Sequence, residues 1–330
     1  MAARFFGVRV EVFSIGFGKK VFSKVYGDTE YALSLIPLGG YVKMKGQDDA
    51  DPTKVSDDED SYNVKKPWQR IIILLAGPFA NFLLAFFLYI AIGNMGVTKF
   101  APYIGQVSKD SPAYRSGIKS GDKIVSINGL EIKTWDNLSK KIRKSNDTLL
   151  FKIKRGGKIL QIKIKPKIHT YKNMFGETLK KKMVGISPSG KTIIVKYRAF
   201  KSIPFALEET KNATMMIVNG LQKLVEGVVS PKEMGGIVSI VQVTAKASAI
   251  GIVALFGLTA LISVNLGVLN LLPIPALDGG HIMFNLYEMI TKKAPSERVL
   301  YYLTMVGWVF LLSLMLFTVF NDIYRIVGGN

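Results

Sequence analysis

Three stretches of the chain are apolar at nearly every position rather than at alternate ones. The first lies between Arg70 and Lys99 and reads IIILLAGPFANFLLAFFLYIAIGNMGVT. The second lies between Lys246 and Asp278, and the third between Arg298 and Asp322. Each is long enough for a bilayer-crossing helix, which needs about 20 apolar residues. Tyr301, Tyr302 and Trp308 stand toward one end of the third run, where interfacial aromatics anchor a span.

Shorter periods fill the rest. Val8, Val10 and Val12 alternate with Arg9 and Glu11, which predicts a strand, and Gly16, Gly18 and Lys19-Lys20 are read as its end. YALSLIPLGGYVKMKG, residues 31–46, predicts a second strand pair punctuated by Pro37 and Gly39-Gly40. Residues 47–62 are acidic and read as a loop. Residues 101–168 predict a small α+β domain, with β-rich runs around a helix near Asn137–Lys144. Gly121-Asp122 reads as a turn, and Asn128-Gly129 as a tight hairpin. Met215, Met216, Val218, Leu221, Leu224 and Val225 fall near helical spacing, which predicts an amphipathic helix resting at the bilayer surface. The expected divisions are 1–66, 67–98, 99–168, 169–246, 247–290 and 291–330.

Composition narrows the chemistry. The 330 residues include no cysteine, which removes disulfides, thiolate nucleophiles and Cys-ligated metal sites. Only His169 and His281 are present, so a Ser-His-Asp triad or a multi-histidine site has almost no raw material. Net charge is +20, and residues 99–201 hold 25 basic and 6 acidic groups, a net +19. That segment is either a solvated lysine-rich surface or one that meets anionic headgroups. Its place between two apolar runs argues against nucleic acid.

Within the second run sits NLGVLNLLPIPALDGGHI, residues 265–282. Pro273, Pro275, Gly279 and Gly280 break helical backbone there, and such backbone persists at membrane depth only when buried in protein or lining a cavity. Asp278 is then a functional candidate, since a carboxylate ligates divalent metals. Its structural alternative is to cap a helix starting near His281.

Two resemblances enter here. SPAYRSGIKSGDKIVSINGLEI resembles the PDZ family through Ala113, Gly117, Ile118, Gly121, Asp122, Ile124, Ile127, Asn128 and Gly129. PDZ domains bind extended peptides by strand addition. Asn270, Pro273, Pro275, Leu277, Asp278 and Gly279 resemble the N-x-x-P-x-P-x-L-D-G signature of site-2 proteases, the intramembrane zinc metalloproteases. Gly77-Pro78 with Asn81 resembles that family's G-P-x-x-N, and residues 37–46 resemble the membrane-associated hairpin of its bacterial, regulator-of-sigma-E-protease-like branch.

The resemblance implies an α-helical membrane protein with a membrane-associated β-hairpin region and an inserted PDZ-like α+β domain. It implies Zn2+, held by two histidines of H-E-x-x-H and the aspartate that maps onto Asp278, with the motif's glutamate as general base. It places Asn265 and Asn270 near the site, where their amides position a peptide or an oxyanion; the alternative is interhelical hydrogen bonding. Asn81 either joins the site or packs helices. Gly39, Gly40 and Tyr41 would offer an edge to an unwound substrate. Expected partners are single-pass membrane protein substrates, such as an anti-sigma factor or a remnant signal peptide, and the phospholipid bilayer, with no nucleic acid. The expected location is the bacterial inner membrane, multi-pass, with the PDZ-like domain periplasmic. The basic segment runs against the positive-inside rule, which acts mainly on short loops.

One departure is large. H-E-x-x-H is absent, and Ala2, Ala3, Arg4, Gly7 and Val8 match a segment that in the family follows it closely. The expectation is a chain start set at an internal methionine or a truncated chain, or else a paralogue without catalysis. On either reading the chain as written is inactive alone. A non-catalytic PDZ-bearing scaffold is the alternative function.

Overall fold

A computed structural model gives the architecture and describes residues 1–47, 56–145, 147–172 and 178–328. Part of the expected acidic loop, residues 48–55, lies outside them. The chain forms two compact units, Met1–Tyr89 with Ala206–Asn330, and Ile90–Phe205.

The first unit opens with a short helix, α1 (Ala2–Phe5), and two long strands, β1 (Val10–Tyr26) and β2 (Thr29–Met44). Gly16 and Gly18 do not end the first strand as the sequence pattern predicts. They take φ of +92° and +81°, values open to glycine, and β1 changes pairing partner across them. Before them, Val12, Phe13 and Ser14 stand opposite Lys43, Val42 and Tyr41 on one side and Glu30, Tyr31 and Ala32 on the other. After them, Phe22–Tyr26 returns along Leu33–Thr29. Val12–Ile15 is therefore an inner segment, with Gly40–Met44 and Phe22–Tyr26 outermost. Below the sheet, Ala3, Val8, Val10, Met44 and Tyr62 close on Ile73 and Leu74 of α2 (Pro67–Met95).

The second unit follows directly in sequence. Its elements are β3 (Val97–Phe100), β4 (Ile104–Val107), α3 (Pro112–Arg115), β5 (Lys123–Ile127), β6 (Leu130–Glu131), α4 (Trp135–Lys144), β7 (Leu149–Arg155), β8 (Lys158–Ile164), β9 (Lys167–Lys172), β10 (Thr178–Met183), β11 (Ile186–Pro188) and β12 (Thr192–Val195). Ser111 caps α3 by accepting from the Tyr114 amide, and Thr134 caps α4 by accepting from the Asn137 amide. Asn128 and Gly129 both take positive φ, +50° and +80°, as a two-residue turn between β5 and β6 requires. The main sheet has order β6-β5-β7-β8, and Ile124, Ile127, Leu149, Phe151, Ile153 and Ile164 fill its core with Leu138 and Ile142 of α4. The expected boundary at 168 falls too early. Residues 186–195 return to the unit, where β11 pairs with β4 and β12 with β3.

The first unit resumes with α5 (Ser202–Val225), α6 (Ile237–Ile250), α7 (Ile252–Asn270), α8 (Asp278–Thr291) and α9 (Glu297–Val327). Among the described residues, α2, α7 and α9 are the helices long and apolar enough to cross a bilayer. The second apolar run is not one helix: Gly251, at φ +133°, separates α6 from α7. Helix α5 has two unlike apolar faces. Ala213, Ile217 and Leu221 pack with Ala85 of α2 and Ala260, Val264 and Val268 of α7, while Met215, Met216 and Val218 stay exposed.

Candidate functional site

The site is built on the seven residues between α7 and α8. Pro273 and Pro275 cannot donate, so the segment closes short turns instead of a helical ladder. The amides of Leu271, Leu272, Ile274 and Leu277 reach the carbonyls of Val268, Leu269, Leu272 and Ile274 at 3.1, 3.0, 2.7 and 2.8 Å. These bonds let non-helical backbone sit among apolar helices.

Glycines let that segment fold back tightly. A Cβ on Gly279 would collide with the carbonyls of Leu271 and Leu272. A Cβ on Gly280 would collide with the Ile274 carbonyl and come 2.5 Å from Pro275 Cα. On the other side, a Cβ on Gly307 of α9 would lie 2.7 Å from the Ala276 nitrogen. The segment is thus held between the first turn of α8 and the middle of α9.

Asp278 is the first residue of α8, after an N-cap at Leu277 that makes no side-chain cap bond. The helix starts at Asp278 rather than near His281, so the carboxylate is not a cap for a later start. A helix N-terminus favours negative charge. The carboxylate faces α2: a Cβ on Gly77 would stand 3.4 Å from Asp278 Oδ2. Gly77 and Asp278, 201 positions apart in the chain, are therefore neighbours.

The contact between α2 and α7 is equally close. The Ser263 hydroxyl donates to the Asn81 carbonyl at 2.8 Å. A Cβ on Gly267 would lie 3.1 Å from the Phe82 ring and 3.3 Å from the Pro78 carbonyl. Asn81, Asn265 and Asn270 are all half-buried. Gly40 and Tyr41 lie on the outermost segment of the β1–β2 sheet, opposite Ile15 and Ser14, and a Cβ on Gly40 would collide with the Ser14 carbonyl. Gly39 is part of the same strand.

One turn beyond Asp278, His281 meets the Phe284 ring edge-on at 6.0 Å, and its carbonyl accepts from Asn285 Nδ2 at 2.8 Å. Arg70 and Glu288 form a largely buried ion pair at 2.6 Å beside them. A cavity of about 290 Å³ lies between Gln47, Arg70, His281, Asn285, Glu288 and Glu297. His169 is exposed on β9 opposite Lys181, remote in sequence from this cluster.

A catalytic zinc takes three protein donors and keeps one position for water. The Asp278 carboxylate would supply one such donor, and no group of three His, Cys, Asp or Glu side chains converges among the described residues. The described residues therefore do not make a complete zinc site, and no chemical step is derived through the metal.

Sequence reasoning did not single out Ser263 or Gly307. Their signal is that of small residues inside apolar helices, which mark close helix contacts; Gly267 was quoted in the motif without that role.

Three helices long and apolar enough to cross a bilayer thus accompany a carboxylate that follows directly on non-helical backbone. Residues 1–314 match the profile of Peptidase family M50. Two relatives carry the name "Putative zinc metalloprotease": Cj1068 of Campylobacter jejuni, 48% identical over 99% of this chain and 89% of its own length, and a Helicobacter pylori (strain J99) protein, 39% identical over 98% and 93%. Among solved structures, the PDZ domain of the SdrC-like protein Lin2157 from Listeria innocua aligns at 28% identity, covering 28% of this chain and 96% of that one, with a TM-score of 0.22. The chain belongs to peptidase family M50, the site-2 protease family.

Proposed function

We propose that the protein is an endopeptidase that cuts single-pass membrane proteins within or beside the bilayer, with Asp278 at its centre as one metal donor. The observation that carries this reading is the placement of the Asp278 carboxylate on non-helical backbone, against Gly77 of an apolar helix. An ionisable group there is costly and is retained for function.

The other parts follow from this placement. A helical substrate hides its carbonyls, so it must unwind before cleavage. The segment Gly40–Met44 is outermost in the strand order, and an unwound substrate strand would add beside it and Gly39. Asn265 and Asn270 on α7 are the amides nearest in sequence to the segment that carries Asp278, and they would position the peptide. The unit Ile90–Phe205 would act as a PDZ-like filter against substrates with bulky external domains. In this reading the location is the bacterial inner membrane with that unit on the periplasmic side.

The absence of a three-donor group among the described residues favours a second reading, a non-catalytic peptide-binding scaffold. Metal analysis of the protein purified from its native membrane separates the two. The endopeptidase reading predicts stoichiometric zinc that falls in Asp278→Asn. Zinc absent from the native protein, or unchanged by that substitution, would overturn it in favour of the scaffold.

A further inference from the structure

The sheet of the second unit has two unlike faces. Ile124, Phe151, Ile153 and Ile164 point into the core, so the alternating positions Lys123, Lys152, Lys154 and Lys163 point out. Lys123 stands directly opposite Lys154, and Ser126 and Gln161 flank Lys152 on either side. None of these four lysines has a carboxylate partner among the described residues. The nearest acid across Ser126 is Glu131, and Lys133 holds it at 3.3 Å. Like charges directly opposite on a sheet destabilise it. The fold carries this repulsion with no carboxylate among the described residues to offset it, which suits the face to an anionic partner.

The apolar residues on the same face identify the partner. Leu150 stands opposite Lys163, and Ile159, opposite Lys154, is 65% exposed. At one edge the Tyr103 ring lies beneath Lys123 and Lys191, at 5.5 and 4.8 Å. Lysines interleaved with aliphatic side chains and a tyrosine suit a headgroup layer, where cations meet phosphates and apolar tips reach the acyl boundary. The unit also follows directly after an apolar helix, so a bilayer is always at hand.

We propose that this face of the second unit, built on Lys123, Lys152, Lys154 and Lys163, docks on anionic phospholipid. The proposal rests on the reading that α2 spans a bilayer. Each lysine near such a surface is worth about fivefold in binding, so four contribute on the order of several hundredfold at low salt.

The chain has no cysteine, so a single introduced thiol reports one place. Full-length protein carrying Gln161→Cys, Asn137→Cys or Phe87→Cys is labelled with a fluorophore. It is reconstituted in nanodiscs of phosphatidylcholine alone or with about one-third phosphatidylglycerol. The proposal predicts that the label at 161 is shielded from an aqueous quencher only with phosphatidylglycerol. Shielding is lost at roughly 1 M salt and in the Lys→Gln variant of all four lysines, while the label at 137 stays accessible throughout. Equal access at 161 in both lipids, with the label at 87 shielded, would overturn it. So would shielding produced by inorganic phosphate or a polynucleotide in phosphatidylcholine discs, which would indicate a free-anion or nucleic-acid site. A label at 87 open to water would overturn it together with the span reading.

Discussion

Gly280→Ala probes the site without touching a charged group. In the structure a Cβ at this position would come 2.5 Å from Pro275 Cα and closer still to the Ile274 carbonyl. Carbon atoms in contact prefer about 3.5 Å or more, so the segment 271–277 must retreat by about 1 Å. It has little room to do so, because Ala276 already abuts Gly307 of α9. Overpacking of this kind costs about 1–3 kcal/mol of stability. A displacement of about 1 Å at the reacting centre costs about a hundredfold in rate. The assay is cleavage of a reconstituted single-span substrate by protein purified from its native membrane, run beside thermal unfolding of the same preparation. The expectation is a fall of about a hundredfold in kcat with a smaller change in KM, in a protein that still inserts and folds. Wild-type kcat in Gly280→Ala would refute the claim that this segment positions Asp278.

Three further outcomes are expected. Gly307→Ala should lower kcat in the same assay, since its new Cβ meets the Ala276 nitrogen at 2.7 Å; equal rates would remove α9 from the positioning of the site. In the second unit, burial alone would push the Asp122 carboxyl up, but bonds from Arg155 at 2.7 Å and the Lys119 amide at 2.8 Å outweigh it and hold the group below the ordinary carboxylate range. Its contribution is therefore full above the unfolded value of about 4 and is lost as pH falls below it; Asp122→Asn should flatten the acid limb of stability measured between roughly pH 5 and 2. Asp322 is 2% exposed and accepts from the amides of Gly236 and Ser239 at 3.1 and 3.0 Å, joining α9 to the start of α6. Asp322→Ala should cost about 3 kcal/mol and raise amide exchange at residues 236–239.

The apolar spans were legible because a run of more than about 20 uncharged residues has few soluble explanations. Asn128-Gly129 was legible because few dipeptides fit two consecutive positive φ values. Asp278 stood out because two prolines and two glycines surround it, and the structure bears out broken backbone there. Gly16 and Gly18 were misread because a glycine in a strand pattern ends or bends it alike, and only long-range pairing decides. Gly251 was hidden because its immediate neighbours, Ala249-Ile250 and Ile252–Phe256, are apolar, and a glycine inside an apolar run does not by itself mark a break. The return of β11 and β12 to β4 and β3 could not be read locally, since it joins residues 79 to 98 positions apart.

The central claim is that the Asp278 carboxylate, set on broken backbone against Gly77, is the centre of peptide-bond cleavage. The most direct measurement is cleavage of a reconstituted single-span membrane substrate by protein purified from its native membrane, comparing the wild type with Asp278→Asn. The substitution keeps the side chain's size and removes its charge. The account predicts cleavage by the wild type and loss to background in the variant, with insertion and thermal stability retained. Cleavage by Asp278→Asn at the wild-type rate would contradict it.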